Sequence, residues 1–130
     1  MEQKFYSCKH CGNIVELIQN GGGVLVCCKD EMNELEPNST DAANEKHVPE
    51  VIVYGSQVIV NVGTMPHPMT EEHYIGWISI RTTKGVHRRE LEPLDEPTAA
   101  FALSDNESFV CAYAYCNLHG LWKTEVTTQI

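Results

Sequence analysis

Two groups of residues in this chain are able to do chemistry: four cysteines near its start, and a set of histidines and one cysteine further on. Cys8-Lys9-His10-Cys11-Gly12 reads as a metal knuckle. Two residues between the cysteines let both sulfurs converge, and the glycine permits the tight turn that aims backbone amides back at sulfur. Cys27-Cys28 supplies the other pair after fifteen intervening residues. A disulfide between neighbours is strained and rare, so metal binding is the better reading of this pair. Four thiolates around one ion suit tetrahedral zinc or iron. Adjacent cysteines must splay to reach one ion, which distorts the tetrahedron. The alternative is a structural zinc ribbon, and the metal's identity decides whether the site carries electrons, because zinc has no redox chemistry. His10 reads as a solvated side chain inside the knuckle.

Five further potential ligands are spread through the rest of the chain. His47 follows Glu45-Lys46, His67 lies in Met65-Pro66-His67-Pro68-Met69, and His73 lies in Glu71-Glu72-His73-Tyr74. Cys116 and His119 share Cys116-Asn117-Leu118-His119-Gly120, a spacing that brings two ligands to one ion within a single turn. The prolines beside His67 fix its backbone. His87 reads as an ordinary strand residue, Cys111 as a small buried hydrophobe, and Met65 and Met69 as packing residues. Spacing alone does not assemble the set of five.

The elements that must position these residues differ along the chain. Residues 1–36 carry four of the six cysteines and a Gly21-Gly22-Gly23 turn. A piece this short buries too little core to stand without a staple such as a metal. Residues 37–46 read as a linker that becomes a functional loop. From Val48 the pattern is β: Val48–Tyr54 and Gln57–Val62 flank Gly55-Ser56, and Tyr74–Thr82 and Val86–Leu91 flank Thr83-Lys84-Gly85, giving two hairpins. Thr98–Leu103, Phe109–Tyr115 and Leu121–Thr127 are further β runs, and Thr70–His73 reads as a helical turn. About seven short strands with turns between them predict an antiparallel, immunoglobulin-like β-sandwich. The fold class is therefore mainly β, a small metal-binding N-terminal domain followed by a sandwich. Each candidate ligand falls in a loop or at a strand end, where a rigid sandwich can present it.

Charge narrows the partners. Nine Lys and Arg stand against eighteen Asp and Glu, a net charge of −9. Phosphate binding needs a basic face, so nucleic acid is not expected as a partner. No apolar run reaches the length of a membrane span. The N-terminus lacks the basic-then-apolar order of a signal peptide, which predicts a cytoplasmic protein. An acidic chain repels a small anion, so any anion site needs a local positive field.

Taken together, Cys8-Lys9-His10-Cys11-Gly12-Asn13, Cys27-Cys28, Glu45-Lys46-His47-Val48-Pro49, His67-Pro68-Met69, His73 and Cys116-Asn117-Leu118-His119-Gly120 resemble desulfoferrodoxin, the two-iron class of superoxide reductase. The resemblance covers almost the whole chain, with the motifs in the family's order. It implies a desulforedoxin-like domain over residues 1–36, with a first iron held by Cys8, Cys11, Cys27 and Cys28. It implies an immunoglobulin-like domain over residues 37–130, with a second, catalytic iron held in a plane by His47, His67, His73 and His119 and axially by Cys116. Glu45 and Lys46 would flank the open sixth position. The implied activity is one-electron reduction of superoxide to hydrogen peroxide, detoxifying superoxide in an anaerobic or microaerophilic cell. The implied partners are a rubredoxin-like or other small electron donor and a second copy of the chain in a homodimer.

The chemistry follows from the implied ligands. Four neutral imidazoles and one thiolate around ferrous iron leave a single net positive charge, which attracts superoxide within an acidic protein, and Lys46 adds to that field. Cys116 would push electron density through the iron, the lever used by thiolate-ligated haem enzymes. Glu45, a hard anion, suits ferric iron and would close the site after turnover. The first centre would relay electrons. Competing readings are a superoxide dismutase, a plain electron-transfer or iron-binding protein, and a zinc-ribbon module, the last explaining only the first 36 residues.

Overall fold

The computed structural model describes residues 3–129. They form two compact units, divided between Glu36 and Pro37.

The N-terminal unit is made of very short strands. Strands β1 (Phe5–Ser7), β2 (Ile14–Glu16) and β5 (Asn33–Glu34) form one antiparallel sheet in the order β2-β1-β5, and β3 (Val26–Cys27) pairs with β4 (Asp30–Glu31). Its buried residues are few, Phe5, Cys8 and Met32 with Gln3 beside them, while Ile18, Val24 and Val26 are exposed. So small a core fits the expectation that this piece needs a metal staple. Gly12 closes the knuckle with φ 80°, and Cys28 and Lys29 hold φ 51° and 67° in the turn between β3 and β4. The left-handed region is costly for residues with a Cβ, and here it lets the chain reverse directly after the vicinal cysteines.

The second unit is a sandwich of two four-stranded sheets. The first sheet has the order β10 (Thr98–Ala102), β7 (Gln57–Val62), β6 (Pro49–Tyr54), β13 (Thr127–Gln129), and the second has the order β12 (Gly120–Thr124), β11 (Phe109–Cys116), β8 (Ile75–Thr82), β9 (Val86–Glu90). Neighbours are antiparallel except β13, which runs parallel to β6. Alternation in β7 sends Val58, Val60 and Val62 inward, where they meet Val51, Ile75, Ile78, Ile80, Ala99, Phe101, Ala112 and Ala114 from the other strands. β9 is an edge strand reading Val86-His87-Arg88-Arg89-Glu90, and its charges discourage pairing with another chain. Among the described residues no helix is long and apolar enough to cross a membrane.

The mainly β architecture and the two hairpins agree with the sequence reading. Three details differ. Thr70–His73 is not helical: the Thr70 hydroxyl accepts the His73 amide at 3.1 Å, a side-chain turn in place of a helical one. The helix is instead α1 (Asn44–His47), inside the segment read as a linker. The run Leu121–Thr127 is broken, ending β12 at Thr124 and restarting as β13.

Register explains why distant residues meet. Pro49 at the start of β6 pairs with Val62 at the end of β7. Ile75 at the start of β8 pairs with Cys116 at the end of β11, and Cys116 pairs with Gly120 at the start of β12. The segments bearing His47, His67, His73, Cys116 and His119 adjoin those strand ends, so all five gather at one end of the sandwich.

Candidate metal centres

In the N-terminal unit the sulfurs of Cys8, Cys11, Cys27 and Cys28 all lie within 4.8 Å of one another. Cys11 Sγ is 3.6 Å from Cys27 Sγ, which is 4.0 Å from Cys28 Sγ. A regular tetrahedron with metal–sulfur bonds of about 2.3 Å has edges of about 3.8 Å, so the spacing fits a single ion. Polar groups already point at the sulfurs: the His10 amide reaches Cys8 Sγ at 3.4 Å, and Asn13 Nδ2 donates to Cys27 Sγ at 3.7 Å. The backbone amides of Cys11 and His10 draw the Cys8 thiol down to about 6. Its crowded neighbours resist ionisation: Cys11 and Cys8 push the Cys28 thiol up to about 12, and Cys11 raises Cys27. Four thiolates at this separation need a cation among them. His10 is not merely solvated, since its Nε2 pairs with an Asp30 carboxylate oxygen and ties the knuckle to β4.

The second group is built from four imidazoles and a thiol. Neighbouring rings lie at 4.6 Å (His47–His67), 4.6 Å (His67–His73), 5.0 Å (His73–His119) and 4.9 Å (His119–His47), each pair within 77–84°. His47 and His73 face each other at 6.2 Å and 30°. The rings thus form a four-bladed propeller in the order 47, 67, 73, 119. His47 Nε2 is 3.2 Å from His67 Nε2 and 3.0 Å from His119 Nδ1. A square of metal–nitrogen bonds of about 2.1 Å has edges of about 3.0 Å. Cys116 Sγ is 3.8 Å from His119 Nδ1, and its sulfur lies within 4.8 Å of the ligand nitrogens of His47, His67 and His73.

Tautomers agree with metal binding. His47 Nδ1 bonds to the Ala43 carbonyl at 2.7 Å and His67 Nδ1 to the Pro68 carbonyl at 2.6 Å, so the protons sit outside and the Nε2 lone pairs point inward. His73 Nε2 is buried without a hydrogen-bond partner, which is costly unless an ion takes it. Burial pushes His47 and His73 below the usual imidazole range and brings His67 to about 4, and the charge of Lys46 adds to the shift of His47 and His73. The rings of His47, His67 and His73 are therefore neutral and ready to ligate. Burial raises the Cys116 thiol, against which the amides of Leu118 and His119 work. The His119 amide donates to Cys116 Sγ at 3.3 Å.

Two sequence-predicted residues stand beside the centre. Glu45 and Lys46 are exposed on α1, the turn that delivers His47. His87, read as an ordinary strand residue, is half-buried and paired with Glu107 at 3.0 Å. Cys111 is buried as predicted. Met69 packs on the core and its sulfur accepts the Ile75 amide at 3.3 Å, but Met65 is exposed and does not pack. Sequence reasoning missed Trp122. It is buried, its ring lies 4.8 Å from that of His47, and its Nε1 donates to the His119 carbonyl at 3.2 Å. The nearest sequence signal is its place three residues after a candidate ligand.

An immunoglobulin-like sandwich ending in four histidines and a cysteine, preceded by a four-cysteine knuckle unit, defines a non-haem metalloprotein with two centres. Residues 39–125 match the desulfoferrodoxin family and residues 1–35 match the desulfoferrodoxin N-terminal domain family. The chain belongs to the desulfoferrodoxin family. A desulfoferrodoxin homolog of Archaeoglobus fulgidus is 48% identical over 119 residues, covering 92% of this chain and 94% of that one. A superoxide reductase of Thermococcus kodakarensis is 38% identical over 109 residues, covering 70% of this chain and 94% of that one. The crystal structure of the superoxide reductase from Treponema pallidum superposes with a TM-score of 0.80 at 35% identity, covering 95% of this chain and 99% of that one. The cofactors are accordingly two iron ions, one at each donor set.

Proposed function

We propose that the chain is a superoxide reductase, transferring one electron to superoxide and releasing hydrogen peroxide after two protons are added. The observation that carries this reading is the ring of four imidazoles beside a buried cysteine, with Lys46 as a positive charge at its margin in a chain of net charge −9. Ferrous iron bound there supplies the electron and a position for the substrate. The residues do the rest. His47, His67, His73 and His119 would hold the ion without neutralising it, and Cys116 would ligate it as a thiolate that donates electron density. Lys46 attracts the anion, and Glu45 on the same helical turn would supply a hard carboxylate ligand suited to the oxidised ion.

Cys8, Cys11, Cys27 and Cys28 hold the first iron in a domain of residues 1–36, which receives electrons from a small rubredoxin-like donor and relays them to the domain of residues 37–130. The cysteines of the described chain are unbridged, which suits a reducing, cytoplasmic setting in an anaerobic or microaerophilic cell. Ile18, Val24 and Val26, exposed by 93%, 67% and 62% in a unit with little core of its own, favour a homodimer.

The deciding experiment mixes the reduced, iron-loaded protein with superoxide in a stopped-flow instrument and counts the peroxide formed and the oxygen evolved per iron. One peroxide per oxidised second-centre iron without oxygen is the expected result. Oxygen evolution in equal amount identifies a dismutase instead, and no reaction leaves an electron carrier.

A further inference from the structure

The four histidine ligands are not held alike. His47 and His67 each have a ring nitrogen fixed by a backbone carbonyl, those of Ala43 and Pro68. His119 is fixed through its backbone, its amide on Cys116 Sγ and its carbonyl on Trp122. The His73 ring has its Nε2 buried with no hydrogen-bond partner among the described residues. Its direction must come from the backbone of its loop. Thr70 grips the amide and carbonyl of His73, but Thr70 belongs to the same loop and cannot tie it to the rest of the site.

One side chain makes that tie. Asn117 Nδ2 donates to the carbonyl of Glu72 at 3.0 Å, and Asn117 Oδ1 accepts the amide of Tyr74 at 2.9 Å. These peptide groups flank His73 on both sides. The Asn117 amide also donates to the Tyr74 carbonyl at 3.2 Å. Asn117 directly follows Cys116, so the residue next to the thiolate ligand clamps the loop of a histidine more than forty positions away. Both ends of an asparagine carboxamide are used, one as donor and one as acceptor, a demand that an ionised aspartate or a leucine does not meet. Asn117 is itself exposed, so the core does not depend on its bulk.

We propose that Asn117 is a positioning residue for the second centre: its carboxamide sets the aim of His73 by holding the peptide groups on either side of it, and so couples that ligand to the Cys116 loop. The proposal rests on the reading of the histidine–cysteine set as a metal centre. It follows the general behaviour of outer groups that orient ligands, whose loss weakens metal binding by about 10–100-fold.

The test uses the full apo-protein, titrated with Co2+ against a competing chelator and followed by visible absorption, for wild type, Asn117→Ala and Asn117→Asp. Binding at the four-cysteine centre, with its thiolate charge-transfer bands, is the internal control. Asn117→Ala should bind Co2+ at the second centre about tenfold or more weakly. Its d–d bands should be altered, with the four-cysteine centre and the apo-protein's circular dichroism unchanged. Asn117→Asp keeps the acceptor for Tyr74 and loses the donor to Glu72, so it should fall between. Wild-type affinity and bands in Asn117→Ala overturn the proposal, as does an equal loss at both centres. Should Asn117→Ala fail to fold, Asn117→Asp decides: weakened second-centre binding supports the role and wild-type binding and bands overturn it. Superoxide takes no part in this measurement. A wild type that binds cobalt normally but fails to reduce superoxide overturns the function alone, and normal cobalt binding by the variants overturns the role of Asn117 alone.

Discussion

The amide of Met65 donates to the carbonyl of Glu45 at 2.8 Å, so the loop that leads to His67 is fastened to the helical turn that carries His47. The Thr64 hydroxyl donates to the same carbonyl at 3.2 Å. Gly63 makes this approach possible: a Cβ there would stand 2.7 Å from the Glu45 oxygen and 3.0 Å from the Val48 oxygen, both backbone atoms that cannot swing aside. Gly63→Ala should therefore cost about 1–3 kcal/mol of stability by overpacking. Chemical denaturation of that variant beside Gly76→Ala provides the measurement, because a Cβ at Gly76 meets only the Tyr74 ring at an ordinary 3.9 Å. Equal midpoints for the two variants would contradict the fastening.

Lys46 bears on rate through charge. Its ammonium contributes to the depressed basicity of His47 and His73, which places it within electrostatic reach of the centre. Lys46→Ala should slow the second-order reaction with superoxide by about tenfold and flatten its dependence on ionic strength, since exposed charges act through a screened field. Pulse radiolysis or stopped-flow rates at several salt concentrations would show it. A variant as fast and as salt-sensitive as the parent has no steering lysine at this position.

Glu107 links stability to acid. Its carboxylate accepts hydrogen bonds from Thr82, His87 Nε2 and the amide and hydroxyl of Ser104, and these hold it down at about 2. The folded carboxyl lies below its unfolded value of 4.5, so the unfolded chain binds the proton first. The stabilisation is present above pH 4.5 and is lost as pH falls toward 2. The melting-temperature difference between wild type and Glu107→Gln should therefore shrink over that window and stay constant above it. A difference that does not change with pH would show that the network is insensitive to the charge.

The N-terminal unit depends on its metal. Cys28→Ser removes one of four converging sulfurs from a unit whose buried residues are Gln3, Phe5, Cys8 and Met32. Loss of that ion should leave residues 3–36 without a stable fold while the sandwich stays intact. Limited proteolysis followed by mass spectrometry would report cleavage confined to the first 36 residues. Resistance equal to the parent would show that the strands hold alone.

Both donor sets were legible in the sequence, for different reasons. The knuckle has a spacing that physical chemistry requires, whereas the five ligands of the sandwich were selected by resemblance, since strand register brings them together and register leaves no fixed spacing. The strands were visible through alternation, as in Gln57–Val62. The helical turn at Asn44–His47 was not, because four residues are too few to display a helical period. Trp122 and Asn117 stayed hidden because each acts on backbone groups, and a side chain bonded to a distant peptide leaves no pattern along the chain. Thr70–His73 misled because the hydroxyl that can start a helix closed a local turn instead.

The second centre draws His47 and His67 from segments flanking strands of one sheet, and His73, Cys116 and His119 from segments flanking strands of the other. An ion held there is a clasp across the open end of the sandwich, doing the mechanical work that a covalent cross-link performs between the sheets of other sandwiches. Because it grips only the folded arrangement, each tenfold gain in free metal above its dissociation constant adds about 1.4 kcal/mol to the closed form. The reactive ion is then also the fastener, and a cell short of iron would lose the shape of the sandwich end together with the chemistry.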